Sequence, residues 1–563
     1  MIMAGAEAII ESLKKEDVEV VFGYPGGAVL TLYDALYKAN YNHVLTKHEQ
    51  GAVHAADGYA RATGKVGVCI VTSGPGATNL VTGIATAYMD SIPLVAITGQ
   101  VAVSLIGRDS FQEADICGIT TPVTKHNYLV KKVEELPRIM KEAFYIARTG
   151  RPGPVVIDIA KDVFAATLDY QYPETVRLRG YHPLFEGEPK AINQVIEEMK
   201  AAKKPLIFIG GGVNLADSAQ VLRDLVNHTG FPVITTLMGL GSLPSDHPLN
   251  FGMVGMHGTY AANMATTECD LLLGIGVRFD DRVTGLINDF VSKAKVVHFD
   301  IDPAEINKNV LAEIRVVGDL RWSLPSLHQS TVSAKFDWKG QVEPWVEKIL
   351  KWQKEKPMTY EQNSEEIMPQ SVILKVNELT KGEAIIVTDV GQHQMWIAQY
   401  FSFKEPRSLL TSGGLGTMGY GLPAALGAQT GCPHKNVFLF VGDGGIMMNC
   451  QELATAANYN LPVKILIFNN QVLGMVAQWQ RMFYGGRYSH SRLKGHTDFV
   501  KLAEAMGVTG MRISKPSELE EILKAVIAVP GPVVVDIPIP ETENVLPMVP
   551  PGARLDQMVM GGG

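Results

Sequence analysis

The chain is short of cysteine, of positive charge and of long uninterrupted apolar runs. Its five cysteines, Cys69, Cys117, Cys269, Cys432 and Cys450, are odd in number, widely spaced and form no C-x-x-C pair. They read as reduced structural thiols, which excludes a disulfide framework or a cysteine metal site. Lys and Arg number 50 against 58 Asp and Glu, for a net charge of −8. With no basic stretch, nucleic acid is not an expected partner. No run of about 18 uncharged apolar residues occurs, so no membrane span is expected. The N-terminus carries acids early and lacks the basic start and cleavage site of a signal peptide, as well as the Arg/Ser richness of a transit peptide. A cytoplasmic protein is the expectation.

What is plentiful is apolar strand and glycine. The 563 residues are 46% hydrophobic, which suits roughly three to four domains of about 150 residues. The 55 glycines exceed the average of about 7%, and the excess lies in short turns after apolar runs. Runs such as VGVCIVTS, IPLVAITG, PLIFIGGG, AIIVTDVG, VFLFVGDG and VKILIFNN alternate with helical patterns. Strands of that kind are buried on both faces of parallel sheets. PGPVVIDI at Pro152–Ile159 is echoed by PGPVVVDI at Pro530–Ile537, and SGPGATN by SGGLGTMGYG, in the same order. Two similar α/β domains are therefore expected to flank a different one.

One constellation carries chemistry. Gly442-Asp443-Gly444 ends an apolar run, and Asn469-Asn470 ends the next one, with 24 residues (445–468) between Gly444 and Asn469. In a parallel sheet these strand ends lie side by side. A carboxylate, an amide oxygen and a backbone carbonyl are hard ligands, and so few of them suit Mg²⁺ on a phosphate group. Glycines let the backbone approach a diphosphate. A second candidate is Glu49, which follows VLT and opens a helical stretch; a carboxyl in apolar surroundings has a raised pKa. Alone, it reads equally as a helix-capping acid. In the middle of the chain, RFDDR and the strand end HFDID offer acids of the kind that meet ribose or adenine in a Rossmann-like domain. Alone, RFDDR reads as a surface charge cluster.

The GDG-x24-NN pattern resembles the diphosphate motif of thiamine diphosphate enzymes. The words FGYPGG, HEQGA, DGYARATG and SGPGATN resemble their pyrimidine-binding domain. The full set, with FQEADI, RPGPVVIDIAKDV, GMHGTYAAN, GVRFDDR and NNQVLGMVAQWQ, is similar to the catalytic large subunits of the acetohydroxyacid synthase family over essentially the whole chain. The resemblance implies three doubly wound parallel-sheet domains. They are a pyrimidine-binding domain at 1–167, a central FAD-binding domain at 188–330 and a diphosphate/Mg-binding domain at 367–545, with a tail at 546–563 as a candidate lid.

The site residues follow by resemblance. Mg²⁺ falls to Asp443, Asn470 and the main-chain oxygen of Val472. Thiamine diphosphate falls to Gln392, His393, Gly442, Gly444 and Gly445, with Met418 beneath it. The family often has Ser where this chain has Gly445. Glu49 tunes the pyrimidine, and Gln112, Lys161 and Gly27 lie near the reacting groups. Trp479, Met475 and Val476 belong to acceptor selectivity. FAD, structural and without a redox role, falls to Arg151, Met256, His257, Arg278, Asp300 and Asp319. Lys161, Trp479 and Met418 have ordinary readings too, as a solvated lysine, an interface aromatic and a core methionine.

The implied reaction decarboxylates pyruvate and joins the two-carbon unit to a second 2-ketoacid, pyruvate or 2-ketobutyrate, at the head of branched-chain amino acid synthesis. A homodimer or homotetramer with sites between subunits, and a small regulatory subunit, are implied as well. Three rivals remain: a flavin-redox relative such as pyruvate oxidase, an NAD(P) dehydrogenase and a non-catalytic binding scaffold. No strand-end turn supplies a tidy G-x-G-x-x-G together with the downstream acid that a dehydrogenase needs.

Overall fold

The computed structural model describes residues 1–560 apart from 494 and 496. Three six-stranded sheets follow one another along the chain, and every pairing within them is parallel. The first holds Val21–Tyr24, His43–Leu45, Gly67–Val71, Leu94–Gln100, His126–Val130 and Pro154–Ala160. Numbered in chain order, its strands lie side by side as 2-1-3-4-6-5. The third holds Ile385–Thr388, Leu409–Leu410, Val437–Gly442, Lys464–Asn469, Thr509–Arg512 and Val533–Pro538, in the same order. The two PGPVV words lead into the sixth strand of each sheet. The repeated words thus mark a repeated topology.

The central sheet differs. Its strands are Pro205–Ile209, Val233–Thr235, Asn250–Met253, Leu271–Ile275, Lys295–Asp300 and Ile314–Val317, ordered 3-2-1-4-5-6. That is the order of dinucleotide-binding folds. Its core runs past residue 330, because helix Leu320–Ser333 crosses that point. Helix Trp338–Glu355 then buries Trp338, Val342, Trp345, Ile349 and Trp352 against the same domain. Their spacing of alternately four and three residues makes one helix face. The polar segment after residue 169 is also anchored: Tyr170, Tyr172 and Tyr181 pack on the first core. Strand Thr167–Asp169 pairs antiparallel with Ile2–Ala4.

The strands form where the sequence is β-branched, and they need helices on both faces. Every residue of Leu94–Gln100 and of Pro154–Ala160 is buried. The first and third domains meet through helices Glu49–Thr63 and Gly421–Gly431. Glycine allows this contact: a Cβ on Gly427 would fall 1.8 Å from the Ala55 carbonyl oxygen, and one on Gly58 would fall 2.1 Å from that of Ala424. A buried ionic cluster lies alongside. Arg61 pairs with Asp57 and with Asp90 (2.9 Å), and donates to the Thr411 carbonyl at 2.9 Å. Tyr420 donates to Asp57, and the Gly413 and Gly414 amides donate to Asp90. Lone charges would be costly in that interior.

The C-terminal segment is docked. Met548 and Val559 bridge antiparallel, Val549 donates to the Met256 carbonyl at 2.8 Å, and Leu286 donates to that of Ala553 at 3.0 Å. The last residues of the expected lid, 561–563, lie outside the described residues. Among the described residues, no helix is long and apolar enough to cross a membrane.

Candidate active site

In the third sheet the strand order reverses between Ile385–Thr388 and Val437–Gly442, and ligands of open α/β sheets settle at such a switch point. Two turns face each other there, 389–393 and 442–445. Strand Lys464–Asn469 pairs with Val437–Gly442 so that Phe468 stands opposite Gly442, which brings Asn470 beside Asp443. Asp443 is buried, and its oxygens accept from the Gly444 amide (2.9 Å) and the Gln471 amide (2.7 Å). Among the described residues no cation pairs with it, and burial pushes its carboxyl up to about 6. Gln471 sits at φ 58°, a left-handed turn that places Val472 N–H against Asn470 Oδ1 at 3.3 Å. No cluster of three or more His, Cys, Asp or Glu suited to a metal occurs among the described residues. The donor set is thus one carboxylate with amide and carbonyl oxygens, which suits Mg²⁺ sharing its shell with phosphate.

His393 is buried and its Nε2 has no hydrogen-bond partner. Burial holds the imidazole down at about 4, so it is neutral at physiological pH. It lies against Gly442, where a Cβ would approach its ring to 3.5 Å. Gln392 is committed: its Nε2 donates to Gln478 Oε1 and to the Glu543 carbonyl, both at 2.9 Å. A Cβ on Gly474 would fall 2.2 Å from Gln392 Oε1, so a glycine must begin the helix Gly474–Phe483. Gln478, fully buried, also exchanges two hydrogen bonds with the Val545 backbone. Met475 packs on the third core, Val476 is exposed, and Trp479 stacks edge-on against Phe483 at 5.9 Å.

Asp389 was not singled out from the sequence, yet it builds the turn. It is fully buried and accepts from the amides of Val390 (2.9 Å), Gly419 (3.0 Å) and Gly421 (2.8 Å). It thereby clamps the loop carrying Met418, whose Cε would be 3.9 Å from a Cβ on Gly444. The departure at Gly445 has a steric reason: a Cβ there would fall 2.7 Å from Asp389 Oδ1.

The first domain gathers its candidates around its own switch point. A Cβ on Gly26 or on Gly76 would strike Thr72, at 2.6 and 2.8 Å. Gly27 faces open space. Glu49 is half-buried, accepts from Asn79 Nδ2 at 2.9 Å, and has its Oε1 3.3 Å from where a Gly76 Cβ would be. Gln112, at φ 61°, lays its backbone against Gly74. Lys161 is exposed at the C-terminal end of Pro154–Ala160. Among the described residues no hydrogen bond or ion pair joins this group to Asp443 or Asn470.

The central candidates divide. Asp300 ends its strand buried, and burial pushes its carboxyl up to about 7. His257 is buried with Nδ1 unpartnered, and the Met256 backbone is tied to Arg282 and Val549. Arg278 stands 4.0 Å from Asp280, which caps the short helix Asp281–Thr284. Arg151 pairs with Glu305 (2.6 Å) and Asp302 (3.2 Å). Asp319 caps helix Leu320–Ser333 and pairs with Arg321, which engages its carboxylate. The Gly210–Gly212 turn packs on Gly276, whose carbonyl oxygen would lie 2.2 Å from a Gly210 Cβ.

Three family models match in the same order as the sheets. They describe the N-terminal TPP binding domain (3–119), the central domain (192–327) and the C-terminal TPP binding domain (389–537) of thiamine pyrophosphate enzymes. The probable acetolactate synthase large subunit of Methanocaldococcus jannaschii is 51% identical over 99% of this chain and 95% of its own length. The acetolactate synthase isozyme 3 large subunit of Escherichia coli is 48% identical over 99% and 98%, and the large subunit of Lactococcus lactis is 46% identical over 99% and 96%.

Proposed function

The chain belongs to the acetolactate synthase large-subunit family of thiamine diphosphate enzymes, and from that premise we propose how its residues divide the reaction. It is an acetolactate synthase: pyruvate loses CO₂, and the remaining two-carbon unit is joined to a second 2-ketoacid, the first common step toward the branched-chain amino acids. Bound thiamine diphosphate supplies the electron sink for the decarboxylation.

The observation that carries the reading is Asp443, a buried carboxylate met only by backbone amides, beside the Asn470 turn. It suits a cation that the cofactor brings with it. Asp443, Asn470 Oδ1 and the Val472 carbonyl would hold Mg²⁺ beside the diphosphate. His393 Nε2 and the Gly442–Gly445 backbone cradle the phosphate oxygens, and Gln392 acts through Asn470. Met418, whose Cε would lie 3.9 Å from a Gly444 Cβ, would pack against the cofactor. Glu49, held through one oxygen by Asn79, keeps the other for a proton shared with the pyrimidine ring. Gln112, Lys161 and Gly27 line the ketoacid side, and Met475, Val476 and Trp479 set acceptor size.

FAD would sit in the central domain as a structural cofactor. The 3-2-1-4-5-6 order and the unpartnered His257 nitrogen support it. Arg151, Met256, His257, Arg278 and Asp300 hold it, with Asp319 contributing through its helix. The enzyme works as a homodimer or homotetramer with sites between subunits. Phe111 is 88% exposed, and Leu30, Met447, Met448 and Val476 are uncovered around the two half-sites, apolar surface of the kind that marks an interface. A small regulatory subunit, implied by the relatives' name of large subunit, completes the assembly.

The test is purified protein with pyruvate, thiamine diphosphate, Mg²⁺ and FAD. Acetolactate without flavin bleaching is the expected result. Bleaching with acetate or acetyl phosphate as product would favour the flavin-redox rival, and silence would sink both.

A further inference from the structure

We infer that Glu452 is a positioning residue for Glu49, acting from the diphosphate domain of the same chain; this rests on the role given to Glu49 above. Glu452 begins the helix Glu452–Asn458, which follows the Asp443 turn, and it is fully buried. Its Oε1 accepts from the amides of Lys47 (2.9 Å) and His48 (3.1 Å), the two residues before Glu49. Its Oε2 accepts from Thr455 Oγ1 at 2.6 Å. Three donors from two domains converge on one side chain that can only accept. A Cβ on Gly51 would fall 2.3 Å from Oε1, so the glycine of the HEQGA word is what admits the carboxylate.

The other end of the same helix grips the same segment. Tyr459 Oη accepts from the Leu45 amide at 2.8 Å and donates to the His43 carbonyl at 3.3 Å. The stretch from His43 to His48 is therefore stapled at both ends to one helix of the other domain. The N-cap of the Glu49 helix is His48, whose Nδ1 accepts from the Gln50 amide at 3.0 Å. Where the chain enters a helix sets the direction of the first Cα–Cβ bonds, and Glu49 is the first helical residue. Glu452 thus sets the aim of Glu49 without touching the cofactor. Glutamine at 452 keeps the acceptor oxygen toward Lys47 and His48, whereas alanine leaves both amides unpaired.

The experiment uses full-length protein and the variants Glu452→Ala, Glu452→Gln and Glu49→Gln. In cofactor-free protein, amide hydrogen exchange at Lys47 and His48 should quicken in the alanine variant alone. With thiamine diphosphate and Mg²⁺ but no pyruvate, C2 proton exchange of the bound cofactor, read by quenched NMR, should slow about tenfold or more in Glu452→Ala, as expected for a misplaced catalytic group. Cofactor Kd and pyruvate KM should stay within about twofold, and Glu452→Gln should restore most of the rate. If the alanine variant does not fold, Glu452→Asp, one methylene shorter, carries the same expectation at smaller size. Wild-type C2 exchange in Glu452→Ala, a loss that tracks weaker cofactor binding, or no recovery with glutamine would each overturn the inference. Glu49→Gln exchanging at the wild-type rate would instead overturn the role of Glu49 itself.

Discussion

Asp443, just past the end of its strand, and Asp158, within its strand, are both buried carboxylates, and their neighbours set them apart. Asp443 faces a turn of backbone amides beside Asn470. Asp443→Asn should weaken Mg²⁺-dependent cofactor binding by about tenfold to a hundredfold, while the cofactor-free protein melts at the same or a higher temperature because a buried charge is gone. Titration calorimetry and thermal melts check both halves. Asp158 is fully satisfied: Thr98 Oγ1 donates at 2.6 Å and Gln100 Nε2 at 3.0 Å, and Gln100 also donates to the Ala114 carbonyl in the loop that carries Gln112. Burial nevertheless pushes the Asp158 carboxyl up to about 7, against about 3.9 in an unfolded chain. The folded protein binds that proton more tightly, so the stability it contributes is complete below about pH 4 and is lost as pH rises through 7. The melting temperature of Asp158→Asn, relative to the parent, should therefore climb between pH 5 and pH 8. At this scale legibility depended on locality. Asp443 and Asn470 were readable because each ends its own apolar run. Asp389 has the same strand-end signature in TDVG, but its purpose lies in amides 30 residues further on. Gln478 and Glu452 sit in helices with no local mark of what they reach.

At the scale of the element, the β-branched runs were readable because strands buried on both faces leave no polar alternation. Leu409–Leu410, only two residues long, had no run to show. Between the Asp443 and Asn469 strand ends, helix Glu452–Asn458 makes the crossover, and a separate turn of helix, Asp443–Ile446, precedes it. The expected boundary at 330 falls within helix Leu320–Ser333, and the helix beyond it, Trp338–Glu355, packs on the central domain through a face of tryptophan and aliphatic residues. Glycine weakens a helix in isolation; in the facing helices Glu49–Thr63 and Gly421–Gly431 the glycines are the contact. Gly427→Ala should cost about 1–3 kcal/mol or more from overpacking, seen as a lower melting temperature with the helices pushed apart. A melting point unchanged within error would mean that the contact is loose.

At the scale of the whole molecule, the proposed function puts Glu49 and Asp443 in separate half-sites that an assembly of subunits brings together. A mixing experiment reads this directly. Glu49→Gln and Asp443→Asn subunits, each nearly inactive, should regain about a quarter of the parent activity when dissociated and reassembled together, because half of random dimers are mixed and each has one intact site. If the site lies within one chain, mixing restores nothing.

The amino-acid sequence by itself determined the α/β character, the repeat of the outer domains and the words that place a diphosphate, since all of these depend on residues close along the chain. Tertiary structure alone decided the 2-1-3-4-6-5 and 3-2-1-4-5-6 orders, the clamp of Asp389 on the Met418 loop and the staple from Glu452 to the Glu49 helix. The physical reason is that parallel strands pair only across long crossovers. A buried carboxylate, likewise, takes its meaning from whichever donors the folded chain brings to it.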